Sequence, residues 1–127
     1  MKIAIQTPKA PAAIGTYSHA IKVGNHVYIS GQIPLNPETM LLVEGDIEAE
    51  IRQMLDNLGA IITEAGGHFS DVVKLTVYLT DLIHYSQVNA IMMTYFKPPY
   101  PARTLVQVSA LPKGARVEID AIMILQR

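Results

Sequence analysis

The run Tyr100-Pro101-Ala102-Arg103-Thr104-Leu105-Val106-Gln107-Val108 places an arginine at the head of a β-forming stretch, behind Pro98, Pro99 and Pro101. A guanidinium offers parallel N–H donors that match a planar carboxylate, which lysine does not. Proline fixes φ and stiffens the approach to the strand. Arg103 therefore reads either as a strand-end charge facing water or as a group held to grip a small anion. Further on, Val117-Glu118-Ile119-Asp120-Ala121 carries a carboxylate within a β-like run. Such a group can orient a water molecule and move its proton. Alternation sets Glu118 on the strand face of Asp120, Ile122 and Ile124, opposite Val117 and Ile119.

Other reactive types are sparse. The chain has no cysteine, which excludes disulfides, thiolate chemistry and cysteine-based metal sites. His19, His26, His68 and His84 lack metal-ligand spacing, so no metal site is expected. Gly66-Gly67 lacks the lysine or GxGxxG context of a phosphate loop and reads as a helix stop. The net charge of −1, with no basic run, argues against a nucleic-acid partner. No stretch is long and apolar enough to span a membrane, and the N-terminal segment does not read as a signal peptide, so a cytoplasmic location is expected.

The 127 residues suit one domain, 1–127. Half are hydrophobic and 17% are charged, which is sparse polar cover for a monomer and points to an oligomer. His19–Val23 and His26–Ser30 form a hairpin across Gly24-Asn25, where a leading glycine suits a type II′ turn. Asp46 is the expected N-cap of a helix with Ile47, Ile51, Met54, Leu55, Leu58, Ile61, Ile62 and Ala65 on one face. Asp71–Leu79 reads as a strand, with Val73, Leu75, Val77 and Leu79 on one side. Leu82–Phe96 reads as a second helix, with Leu82, Tyr85, Val88, Met92, Tyr95 and Phe96 aligned, ended by Pro98-Pro99. Arg103–Val108 and Arg116–Leu125 are the last strands. The order ββαβαββ predicts an α+β fold, one sheet with both helices on one face. Ala121–Leu125 is apolar on both faces, so the other side of the sheet is expected to meet a partner subunit.

Ala13-Ile14-Gly15-Thr16-Tyr17, Ser30-Gly31-Gln32-Ile33-Pro34, Leu55-Asp56-Asn57, Val88-Asn89-Ala90, Pro101-Ala102-Arg103 and Val117–Ala121 occur in order over nearly the whole chain. In these segments the sequence resembles the Rid family (YjgF-type, L-PSP) of enamine/imine deaminases. The resemblance implies a chorismate-mutase-like subunit and a homotrimer whose sheets form a central barrel, with sites in the clefts between neighbours. It implies cofactor-free hydrolysis of small enamino or imino acids, such as 2-aminoacrylate and its imine, to 2-keto acids and ammonia. It makes Arg103 the carboxylate-binding residue, Glu118 the proton carrier and Tyr17 a third catalytic residue. Ser30, Gly31, Asn89 and the Leu105 backbone N–H would bind substrate.

Two positions depart from the family pattern. Leu105 stands where many members have cysteine, which keeps the N–H and removes any thiol chemistry. Gln107 stands where glutamate is common. Two other readings are weighed against the deaminase. A ribonuclease or translation inhibitor would want a basic groove and a histidine pair. A non-catalytic binder of small carboxylates would use Arg103 equally well but would gain nothing from Glu118 nearby.

Overall fold

In the computed structural model, which describes residues 1–126, six strands form one sheet and two α-helices cover one face of it. The strands are β1 (Ile3–Ile5), β2 (Ala20–Val23), β3 (His26–Gln32), β4 (Val72–Leu79), β5 (Ala102–Gln107) and β6 (Val117–Ile124). Their order across the sheet is β1-β2-β3-β6-β4-β5. All neighbours are antiparallel except β4 and β5, which run parallel. A parallel pair needs a crossover, and helix α2 (Tyr85–Met92) lies within it. Among the described residues, no helix is long and apolar enough to cross a membrane.

Helix α1 (Ile47–Glu64) starts as its sequence dictates. Asp46 caps it by accepting from the Ala49 N–H at 3.0 Å, and Glu48 and Glu50 lie in the first turn, where the helix dipole favours negative charge. Its apolar stripe is fully buried at Ile51, Met54, Leu55, Leu58 and Ile61. It packs on Val117, Ile119, Ala121 and Met123 of β6 and on Val27 and Ile29 of β3. Glu50 is buried and ion-paired to Arg116, which ties the head of β6 to the helix. The hairpin turn has Gly24 at φ +59°, as its leading glycine predicts.

Four features differ from the sequence expectation. First, β1 adds an edge strand to the predicted order. Its three residues pair with Lys22, Ile21 and Ala20 and are too few to show a periodicity. Second, the helical segment predicted over Leu82–Phe96 is divided. Leu82–His84 is a 3₁₀ turn and α2 ends at Met92, before the prolines. Thr94 Oγ1 donates to the Ile91 carbonyl at 2.6 Å while the Thr94 N–H donates to the same group at 2.9 Å, tightening the last turn. Third, a register shift between Val72 and Lys74 buries Val72 and exposes Val73, reversing the expected sides for these two residues. Fourth, the uncovered sheet face is mixed. Tyr28, Ile122 and Ile124 stand at one end, and Glu118, Asp120, Tyr78, Thr76 and Lys74 extend it.

Asn57 is 1% exposed and joins α1 to the segment after β3. Its amide nitrogen donates to the Ile33 and Leu35 carbonyls at 3.0 and 2.9 Å, and its oxygen accepts from Gln53. Asn57→Leu keeps comparable volume but leaves those carbonyls unpaired, at a cost of about 1–3 kcal/mol. Urea unfolding at fixed protein concentration will show a lower midpoint; an unchanged midpoint would contradict this role.

Candidate functional site

Arg103 sits second in β5, opposite Leu75 of β4, with its side chain on the helix-covered face. Three groups of α2 hold the guanidinium. Nη1 donates to Asn89 Oδ1 at 2.7 Å and approaches Met92 Sδ at 3.8 Å, and Nη2 reaches the Tyr85 hydroxyl at 3.4 Å. The Arg103 carbon Cζ lies 5.6 Å from the centroid of the Tyr85 ring. All three partners are formally neutral. Among the described residues, Arg103 forms no ion pair; the two that do occur use Arg52 and Arg116. The guanidinium is therefore oriented without being neutralised, and Nε is left with no acceptor among the described residues. A cleft of about 430 Å³ opens beside it, lined by Asn89, Met92, Met93, Phe96, Tyr100 and Pro101 among others.

β5 is an edge of the sheet. The Val108 N–H donates to the Leu79 carbonyl at 2.8 Å. Alternation then turns the Thr104 and Val106 N–H groups toward β4 and those of Arg103, Leu105 and Gln107 outward along the open edge. The Leu105 N–H is thus free to meet a ligand beside Arg103. The Gln107 side chain accepts from the Leu82 N–H at 3.0 Å, so this residue fixes the turn leading into α2.

Glu118 belongs to a second constellation. It pairs with Tyr78 of β4 and faces the uncovered side. The register of β3 on β6 shifts between Ile29 and Gln32, and this bulge brings Gly31 against the Glu118 carboxylate. A Cβ on Gly31 would lie 1.9 Å from Glu118 Oε2 and 3.0 Å from Cδ. Gly31 is therefore required for close approach to a side chain of its own chain. Partial burial, with the Asp120 charge as a lesser cause, pushes the Glu118 carboxyl above the usual carboxylate range. Asp120 in turn accepts from the Tyr78 hydroxyl at 2.8 Å.

Tyr17 is exposed and shares with Gly31, Ile14, His19 and Lys113 a second cleft of about 420 Å³. The Ser30 hydroxyl donates to the Ser18 carbonyl at 2.6 Å, so it fixes the Tyr17 loop onto β3. His19 is buried; its Nδ1 accepts from the Thr7 N–H while Nε2 faces the Pro11 carbonyl at 2.7 Å, so it anchors the N-terminal segment.

The structure thus groups the expected residues in two places, Arg103, Asn89 and Leu105 in one and Tyr17, Ser30, Gly31 and Glu118 in the other. The Arg103 and Glu118 side chains lie on opposite faces of the sheet. Arg103 and Ala121 both pair with Leu75, so Glu118 is two strands across and three residues along, each about 10 Å. Helical spacing counts Tyr85 with the buried Val88 and Met92, so the sequence does not mark it as a neighbour of Arg103.

The family described as "Endoribonuclease L-PSP" matches residues 7–125. The chain belongs to this Rid (L-PSP) family. It is 51% identical over 120 residues to the 2-iminobutanoate/2-iminopropanoate deaminase of Mus musculus, covering 94% of this chain and 89% of that one. The crystal structure of RidA from the Antarctic bacterium Psychrobacter sp. PAMC 21119 superposes with a TM-score of 0.93 at 53% identity, covering 97% and 99% of the two chains. E. coli TdcF with bound serine gives 0.92 at 37% identity, covering 98% and 99%. These matches bear out the α+β fold read from the sequence.

Gly31→Ala tests the contact between β3 and β6. The end of a glutamate side chain can swing aside, so the fold should lose only about 1 kcal/mol. A crystal structure of the variant will show the Glu118 carboxylate displaced; a carboxylate in its original place would refute the contact.

Proposed function

We propose that this protein hydrolyses small enamino and imino acids to 2-keto acids and ammonia. The carrying observation is the Arg103 guanidinium, fixed by neutral partners and left with its charge uncompensated. That arrangement fits a ligand that brings its own carboxylate. The deaminase names of relatives near 50% identity supply the reaction.

In this reading one subunit provides Arg103, Asn89 and the Leu105 N–H, and a neighbour in a homotrimer provides Tyr17, Gly31 and Glu118. The opposite placement of the two groups on the sheet supports a shared site, and the half-buried Ile122 and Ile124 support contact between sheets. The substrate carboxylate docks on the open Nε edge of Arg103 and on Leu105. An enamine must first gain a proton at carbon to become the imine. Glu118 then takes a proton from water as the water oxygen bonds to the imine carbon and the C=N π pair moves to nitrogen. Glu118 returns that proton to nitrogen and then carries the hydroxyl proton across to it, so that the C=O bond forms as the C–N bond breaks, releasing the keto acid and ammonia. Partial burial suits Glu118 to both transfers, because its raised pKa makes the carboxylate the stronger base. Tyr17 lines the cleft beside Gly31, and in this reading its hydroxyl hydrogen-bonds the water. No metal or cofactor takes part, no nucleic acid is a partner, and the chain acts as one 1–127 domain. We place the reaction in the cytoplasm, since a cysteine-free chain needs no oxidising compartment.

The ribonuclease reading carried by the family description has less support. The net charge is −1, and His19 is buried on backbone partners while His26 stacks on Tyr28.

The test is ammonia release from imines generated in situ, corrected for uncatalysed hydrolysis. Arg103→Lys keeps the charge but loses the fork and should weaken capture by about 10- to 150-fold. Glu118→Gln should bind pyruvate normally yet lose turnover by about 10²-fold or more. Wild-type turnover should fall as acid protonates Glu118, at a pH above that of an ordinary carboxylate. Deamination by Glu118→Gln at the wild-type rate would make the carboxylate structural and favour the non-catalytic binder.

A further inference from the structure

Tyr85 stands beside Arg103 with an unusual set of contacts. Its ring lies under the guanidinium, 5.6 Å from Cζ to the ring centroid, and its hydroxyl oxygen accepts from Nη2 at 3.4 Å. Because the oxygen accepts, the phenolic hydrogen remains available to donate. Tyr85 is 45% exposed at the start of α2, and Asn89, the other side chain bonded to its hydroxyl, acts on it as a donor and so leaves that hydrogen free. The outward N–H of Leu105 and the unpartnered Nε of Arg103 sit on the neighbouring edge strand. Neighbouring residues therefore offer three donors to an anion, and only two of them belong to the arginine and its strand.

We infer that Tyr85 is a substrate-binding residue, whose hydroxyl donates a hydrogen bond to the carboxylate gripped by Arg103. This rests on the deaminase reading for the identity of the ligand, a small 2-imino or 2-keto acid. The ring and the hydroxyl do separable jobs. The ring props the guanidinium from below, and the hydroxyl completes the anion clamp. A hydrogen bond with Asn89 and, next, the Arg103 charge pull the Tyr85 hydroxyl below the usual phenol range, which makes it a stronger donor. A phenylalanine would keep the prop and lose the donor. The clamp also sets a preference. A neutral amide or ester in place of the carboxylate gains less from a donor of this kind, so Tyr85 widens the margin by which free acids are chosen.

The experiment compares wild type, Tyr85→Phe and Tyr85→Leu, each shown by thermal unfolding to be folded. Pyruvate binding is measured by calorimetry, and KM and kcat are measured by ammonia release. Loss of a hydrogen bond to a charged group predicts that Tyr85→Phe weakens pyruvate binding and raises KM by about 10-fold or more. kcat should change much less, because the proton transfers lie with Glu118. Tyr85→Leu should bind more weakly still and also lower kcat, since Arg103 loses its support. Tyr85→Phe binding pyruvate as tightly as wild type would overturn the inference and reduce Tyr85 to a prop. No saturable pyruvate binding by the wild type would also overturn it. Failure of the deaminase reading looks different: the wild type would bind pyruvate and respond to Tyr85→Phe, yet release no ammonia above background.

Discussion

A half-buried guanidinium without a carboxylate is costly to hold in place unless its hydrogens find acceptors. Here Asn89, Met92 and Tyr85 provide partial satisfaction while leaving the positive charge intact. Much of the local architecture follows from that need. α2 must lie close against β5, which the parallel β4–β5 crossover brings about. The Gln107 amide must hold the turn before α2, because a shift at Leu82 would carry Tyr85 away. A carboxylate on this strand or helix could neutralise Arg103 from within. Neither β5 nor α2 carries one, since Ala102–Gln107 and Tyr85–Met92 contain no Asp or Glu.

A second constraint acts from the other face of the sheet. One additional residue in β3 sets Gly31 against the Glu118 carboxylate. Asn57 holds the chain that leaves this bulge, and Ser30 holds the loop that carries Tyr17. The bulge, loop and carboxylate form one unit, built from the ends of strands and fixed by the long helix. In the proposed function neither this unit nor the Arg103 unit serves a small acid by itself.

Much of this was legible in the sequence because each signal was local. Asp46 and the apolar stripe of α1 fixed that helix, and period-2 alternation fixed the faces of β6. Pro101-Ala102-Arg103 marked the strand head whose guanidinium α2 holds. What escaped depends on geometry that local patterns do not carry. α2 has eight residues, and a 3₁₀ turn precedes it, so helical phase could not show that Tyr85 leaves the core to meet Arg103. The bulge at Val72–Lys74 has no residue type that announces it, and the pairing of β1 needed its partner strand. Gly31 was expected to bind substrate, but only the register of β3 on β6 reveals that its neighbour is Glu118.

The central claim is that a working site joins Arg103 of one subunit to Glu118 of the next. Subunit complementation addresses it most directly. Arg103→Ala and Glu118→Ala proteins should each be inactive alone. After co-refolding in equal amounts, random assembly into symmetric trimers restores both groups at about a quarter of the sites. Ammonia release should then recover to roughly that fraction of the wild-type rate. Mixed assemblies that form, as shown by differently tagged subunits, yet remain as inactive as the parents would contradict the account.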